Sequence, residues 1–510
     1  MSRLGPSVDG SLTTLVVVAA GVLTLSFAVL TGGTPQQVSL SASAPTSGTG
    51  ALGAGPGAAA PAPGGAAQAP GTRTSGTGPK TGVGPATAVA PATGQAALDC
   101  AAGRNGGSTD RGVTGSTISL GATVVSSGIG ASFLGPVRIG MTAVKDAVNR
   151  SGGICGRQID LKLVDDGWDA QRGYSYIRNL VEGDQVFALA VDPSSEGLRI
   201  ASNEGYFTKT RTPVIGTDGM LNSQYVDPWV WPVAASTVST MHIMASDAYN
   251  RVRARHFSIV YDSQYHFGVE GAFAFNAAVK RLTGSDIPGS SNPGCGGRFC
   301  AISAGQQSYA TENKTFNDAC FNSSGQNCDF VALLLEPNEA LTFMQPGFVR
   351  QFASGKGLAQ TLFSRSFATA CGSTCDQAVA WTGYNPPIEN LAGLPAVASY
   401  VNDVRSEDQT VDIYNQFLEG GYSGMKLVVQ ALRQAGPTLT RDRVAAILDS
   451  QPFDDGLSTP LVWHPGQHYA NVSMRPFAIQ YQNGFNGFQA VGSGWVRDPW
   501  VGQDTNGNKG

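Results

Sequence analysis

Residues 147–166 read AVNRSGGICGRQIDLKLVDD, and the order of features within them decides the fold. The stretch opens on the end of a helix. Counting from Pro136, residues Val137, Met141, Val144 and Val148 recur at intervals of three and four, which puts them on one face. Gly152-Gly153 then stops the helix, because glycine accepts the left-handed backbone of a helix end. Ile159 to Val164 reads as a strand, and Ile118 to Val125, ahead of the helix, reads as another. Strand, helix, strand is a βαβ unit, and such units build a parallel sheet with helices on both faces.

The alternation continues outward. A helix is expected around 174–182, a doubly buried strand at Val186–Val191, a helix at about 195–206 and a strand at Pro213–Ile215. The pattern then restarts with a strand at Phe257–Tyr261, a helix at Val269–Leu282 and a buried strand at Phe330–Leu335. A helix at Asn338–Ser354 and a strand-like run at Thr361–Ser364 follow. Gly284 to Arg298 reads as a surface insertion. Towards the end, Tyr422–Gln434 and Arg441–Leu448 are helical and Phe477–Tyr481 is a final strand. Two similar α/β halves predict two lobes. Ligands of open parallel sheets sit beyond the carboxyl ends of the strands, so facing lobes would form a cleft.

Of 510 residues only 14% are charged, with 33 basic and 37 acidic residues and a net charge of −4. No basic stripe is present, which argues against a nucleic-acid partner. A hydrophobic content of 42% argues against a wholly disordered chain. Part of the charge deficit is local. Leu12 to Leu30 carries no charge, and a helix of that length covers nearly the ~30 Å of a bilayer core. Residues 1–31 therefore read as a membrane anchor through an N-terminal apolar helix, or as a signal segment cleaved near Ser41–Ala44. Residues 32–97 are almost wholly Ala, Gly, Pro, Thr and Ser, charged only at Arg73 and Lys80. Such a stretch buries too little apolar surface to offset its ordering entropy and reads as a disordered tether.

All eight cysteines follow the tether. Their spacing favours short loops closed by Cys295–Cys300, Cys320–Cys328 and Cys371–Cys375, leaving Cys100 with Cys155. An even count behind an export segment fits disulfides in an oxidising compartment. Metal binding is the rival reading, but His242, His256, His266, His464 and His468 do not cluster with the cysteines. No metal and no cofactor is expected.

Gly115–Thr123, Asn149–Arg157 with its Gly-Gly-x-x-Gly-Arg element, Leu163–Asp169, Arg211–Gly216 and Tyr261–Gly268 occur in an order that resembles type I periplasmic solute-binding proteins of ABC transporters. The likeness is to the branched-chain amino-acid binding branch, strong in the first lobe and weaker in the second. It implies two Rossmann-like lobes with parallel sheets joined by a three-segment hinge. By that resemblance lobe one is 98–236 with 396–458, lobe two is 237–395 with 459–500, and 501–510 is a tail.

The resemblance also places the site. Asp192-Pro-Ser194-Ser195 would hold a ligand carboxylate at a helix start, against the plainer reading of an ordinary helix cap. Thr217 and Asp218 would complete that seat, or form only a solvent turn. Phe267 stands where the family usually carries a cleft tyrosine, with Tyr265 and His266 beside it. Glu336, ending a strand, reaches the cleft or is a solvated loop carboxylate. Asp165 and Asp166 mark a strand end and are left out of the site. Where amino-acid binders carry an acid for the ligand's ammonium, this chain has Arg365 and Ser366. That departure puts an α-amino acid in doubt and would favour an anion. The function implied is capture of a small polar ligand (amino acid, amide or small carboxylate) for delivery to the transmembrane subunits of an ABC permease. An extracytoplasmic sensor or scaffold that signals to a partner protein is the alternative. No GxSxG or HExxH spacing supports an enzyme.

Overall fold

The computed structural model describes residues 100, 105–217, 219–322, 327–345 and 355–505. The apolar run at 12–30 and the tether at 32–97 lie outside them. Among the described residues no helix is long and apolar enough to cross a membrane.

Five strands form the first sheet: β1 (Thr117–Val124), β2 (Gln158–Asp165), β3 (Ala188–Ala190), β4 (Val214–Ile215) and β5 (Val230–Trp231), in the order β2-β1-β3-β4-β5. Every pairing is parallel, with Thr117 opposite Gln158 at the start of the long β1–β2 ladder. The helix Val137–Arg150 buries Val137, Met141, Val144 and Val148 along the expected face, each such side chain contributing roughly 1.5–3 kcal/mol. Gly153 ends the turn that follows at φ 77°, and a Cβ there would lie 2.0 Å from the Arg157 carbonyl oxygen. Only glycine fits.

The second sheet has eight strands: β6 (Phe257–Asp262), β7 (Phe299–Ile302), β8 (Phe330–Leu334), β9 (Lys356–Leu358), β10 (Val379–Thr382), β11 (Ser473–Tyr481), β12 (Phe485–Ala490) and β13 (Val496–Arg497). Its order is β12-β11-β10-β9-β8-β6-β7, with β13 on β11. The β6 to β10 part is parallel, whereas β11, β12 and β13 run antiparallel. Three expectations are corrected. The strand near Thr361 lies earlier, at Lys356–Leu358; residues 360–362 are a single tight turn, and the Thr361 hydroxyl donates back to the Leu335 carbonyl. Phe477–Tyr481 is not the last strand, because a hairpin at Asn483-Gly484 returns the chain as β12. The helix at Tyr422 begins six residues sooner, at Gln416, where the Asn415 side chain accepts from the Phe417 and Leu418 amides.

The chain crosses between the sheets through 232–236, 383–394 and 449–472. These crossings brace one another: the Trp463 indole donates to the Pro232 carbonyl at 3.0 Å, and the Asn471 amide donates to Val233 and Gly383 carbonyls. All four expected disulfides are present: Cys100–Cys155, Cys295–Cys300, Cys320–Cys328 and Cys371–Cys375. The expected tail is anchored as far as Asp504, whose carboxylate meets His242 at 2.9 Å and Arg281.

Candidate functional site

The carboxyl ends of β1–β4 and of β6, β8 and β9 face each other, and the loops leaving them meet. The Asp165-Asp166-Gly167-Trp168 loop leaves β2 with Trp168 at φ 64°, held there as its amide donates to Asp166 Oδ1 at 2.9 Å. Val191, closing β3, is also at φ 64°. A left-handed backbone costs a side-chain-bearing residue about 1–2 kcal/mol, more for a β-branched one. Two such residues after strands that flank β1, both 1% exposed, make this edge a candidate site.

Trp168 stacks on Tyr265 of the second lobe, with ring centroids 4.1 Å apart and planes within 9°, and meets Phe267 at 5.7 Å. Beside the stack, Glu196 of the first lobe accepts from the His266 amide at 2.9 Å and pairs with its Nδ1 at 2.8 Å. Burial raises the Glu196 carboxyl, but the His266 hydrogen bond and charge outweigh it and hold the group below its ordinary range. Further along, the Asn222 amide donates to Glu270, again across the lobes. These contacts close the lobes upon each other. The cavity left beside the hinge, among Val137, Val191, Ala234, Tyr384 and Gln416, is about 10 Å³, the room of a single water. A larger groove of about 550 Å³ lies between the helices Val137–Arg150 and Gln416–Ala435 and the Phe453–Asp455 segment, and none of the residues of the stack lines it.

The expected site residues divide into groups. Ser194 and Ser195 lie fully buried at this edge, and Ser195 accepts from the Trp168 indole at 3.2 Å. Ser194 holds the N-cap position of the helix Ser195–Asn203, yet its hydroxyl makes no cap bond. The Thr217 hydroxyl is turned to Gln224 at 2.7 Å. Asp218 lies outside the described residues. Asp192 points back into the lobe, accepting from the Thr123 hydroxyl and amide at 2.6 and 3.0 Å, so its oxygens are spent on the neighbouring strand. Glu336 is a helix cap, accepting from the Asn338 and Glu339 amides in a reciprocal capping box. Arg365 and Ser366 are not brought here. Ser364 caps the helix Arg365–Cys371, which turns both residues outward, where Ser366 bonds Asp412 at 3.0 Å. The anion preference inferred from Arg365 has no support in this geometry.

Sequence reasoning missed Trp168, Glu196, Asp262 and Glu339. Asp262, ending β6, accepts from the Gln264 and Tyr265 amides through Oδ1. Burial pushes the carboxyls of Asp166 to about 6 and of Asp192 and Asp262 to about 7. Glu339 is raised well above its ordinary value by burial and then by the Asp262 charge. A carboxyl raised on folding keeps its proton in the native state at a pH where the unfolded chain has released it. Its contribution therefore weakens as pH rises from about 4 towards about 7. The protein is expected to melt higher at pH 5 than at pH 8 in the absence of solute; calorimetry at the two values checks this, and a higher melting temperature at pH 8 contradicts it.

A family model described as periplasmic binding protein matches residues 117–484. No protein of curated function matches the chain by sequence. Among solved structures, a possible leucine/isoleucine/valine-binding protein from Rhodopirellula baltica is 18% identical, with a TM-score of 0.60 over 74% of this chain and 96% of that one. A fatty acid ABC transporter substrate-binding protein from Thermomonospora curvata is 16% identical, with 0.62 over 76% and 94%. A leucine binding protein from Thermotoga maritima is 15% identical, with 0.57 over 75% and 99%. At these identities the likeness is one of fold.

Proposed function

Since this chain belongs to the periplasmic binding protein family, a family of non-enzymatic solute receptors working outside the cytoplasm, we propose that it captures a small polar solute between its lobes and delivers it to an ABC permease. The observation that carries this reading is the meeting of both sets of strand ends at the Trp168–Tyr265 stack, beside crossings about which the lobes can part. Opening would separate the rings and the Glu196–His266 pair, and a solute entering between them would supply the contacts that favour reclosure. The apolar segment at 12–30 would tether the receptor to the membrane, or release it if cleaved.

A panel of amino acids, amides, amines and carboxylates, read by thermal shift, is expected to contain a solute that raises the melting point. With that solute, Ser194→Ala combined with Thr217→Ala is expected to lower affinity about thirtyfold, at roughly 1 kcal/mol for each of the two hydrogen bonds lost. Unchanged affinity would remove both hydroxyls from the site. A panel without any hit would favour a scaffold over a receptor.

A further inference from the structure

The surroundings of the interlobe stack are rich in carboxyl groups. Four carboxylates, Asp262, Glu196, Glu336 and Asp169, lie near enough to the Tyr265 hydroxyl to raise it, after burial, to about 12. Asp262 grips the Tyr265 amide from one side and Glu196 grips the His266 amide from the other. Asp262 and Glu339 are 0% and 2% exposed, and Asp262 Oδ2 and Glu339 Oε1 have no hydrogen-bond partner among the described residues. Buried carboxyls left in this way hold their protons in the empty protein, and a cation arriving beside them favours the charged form.

The protein supplies little positive charge there. Among the described residues the buried arginine and lysine side chains are Arg157, Lys356 and Arg441, and the buried histidines are His242 and His468, paired with Asp498 and the Val230 carbonyl. Arg157 donates to the Thr114 carbonyl, Lys356 to Thr374 and Arg441 to Phe187, all away from the strand ends that meet at the stack. His266 and Arg199 are both engaged with Glu196, and Arg172, beside the Trp168 loop, donates to the Asp166 carbonyl at 2.6 Å. Against these acids stand the faces of Trp168, Tyr265 and Phe267, contributed by both lobes, and aromatic faces attract cations. The strained backbone of Trp168 fixes one of these rings at the interface.

We propose that the solute is cationic, an amine or quaternary ammonium held between the Trp168 and Tyr265 rings with its charge answered by Asp262 and Glu339. This rests on the reading of the chain as a solute receptor and narrows it to one chemical class. A ring face on each lobe makes closure depend on the cation, because the ammonium is attracted to both. An anion finds no buried Arg or Lys side chain at this edge to answer it.

The test uses the full chain at pH 7.5 with four probes: choline, putrescine, L-leucine and hexanoate. Calorimetric titration is run beside tryptophan fluorescence, which reports insertion next to Trp168. Choline or putrescine is expected to bind and alter the emission, while hexanoate does neither. Asp262→Asn is expected to weaken cation binding at least tenfold; should that variant fail to fold, Glu339→Gln reads the same loss. Binding of L-leucine or hexanoate with the fluorescence change, but of neither cation, overturns the cationic class and leaves the receptor reading standing. Cation affinity unchanged in the carboxylate variants also overturns it. No binding by any of the four overturns the cationic proposal, and the broader thermal-shift panel then decides the receptor reading separately.

Discussion

Cys155→Ser is expected to destabilise the folded unit by about 4 kcal/mol, the loop-closure entropy of a bridge spanning 55 residues. The bond fastens Cys100, the first described residue, to the turn just before β2. Around it the Asn105 amide donates to the Cys155 carbonyl at 3.1 Å, and the buried Arg157 guanidinium donates to carbonyls of Thr114, Gly107 and Pro437. Loss of the bond therefore loosens the entry to β1 and its tie to the segment after the helix Gln416–Ala435. Denaturant titration with and without reductant measures the effect. Without reductant the variant should unfold at lower denaturant than the native chain; reductant, which also opens the three short-loop bridges, should lower both and erase the difference between them. A variant as stable as the oxidised native chain would show that the bridge contributes nothing.

Gly421→Val is expected to cost about 3 kcal/mol or more, by forcing apart two helices whose backbones touch. A Cβ at Gly421 would lie 2.5 Å from the Val137 carbonyl oxygen, and one at Gly140 would lie 2.5 Å from that of Leu418. Both contacts are with backbone, so no side-chain rotation relieves them. The helix Gln416–Ala435 comes back to the first sheet only after the second crossing, and its Gln416 amide reaches the Phe363 carbonyl of the second lobe. Displacing it would disturb lobe one and the hinge together. Gly294→Val is the control: nothing lies within 4 Å of a Cβ there, and a change within about 0.5 kcal/mol is expected. Equal melting temperatures for Gly421→Val and Gly294→Val would show that the helices are not held by this close approach.

The stretch from Ala147 to Asp166 carried the first lobe because each signal in it is local: periodic apolar residues, a glycine that alone fits the turn, and a β-rich run. Its Arg157, quoted as part of a family-like element, proves structural, turned to backbone carbonyls. The disulfide pairs were legible from spacing because short loops confine their partners. Lys356–Leu358 was not legible as a strand. It has no β-branched residue, and its lysine is buried only because Thr374 and Asp376 carbonyls receive the ammonium. The antiparallel β11–β12 hairpin also departs from the parallel alternation seen elsewhere.

At the site, the residues picked by resemblance were those next to strand ends, and Ser194, Ser195, Tyr265 and Phe267 do gather at the interface. Arg365 did not, because its position depends on where Ser364 starts a helix, a single cap bond that spacing could not locate. Trp168 escaped notice because nothing in Asp165-Asp166-Gly167-Trp168 reveals that a tryptophan will take a left-handed backbone. Asp262 and Glu339 are distant in sequence, and their partnership arises only when β6 and β8 pair.

Native mass spectrometry of the full chain purified from its own cells tests the central claim, capture of a solute between Trp168 and Tyr265, most directly. The account predicts one small non-covalent adduct, released on denaturation and absent from the Tyr265→Ala variant prepared in the same way. An adduct retained in full by that variant would contradict it.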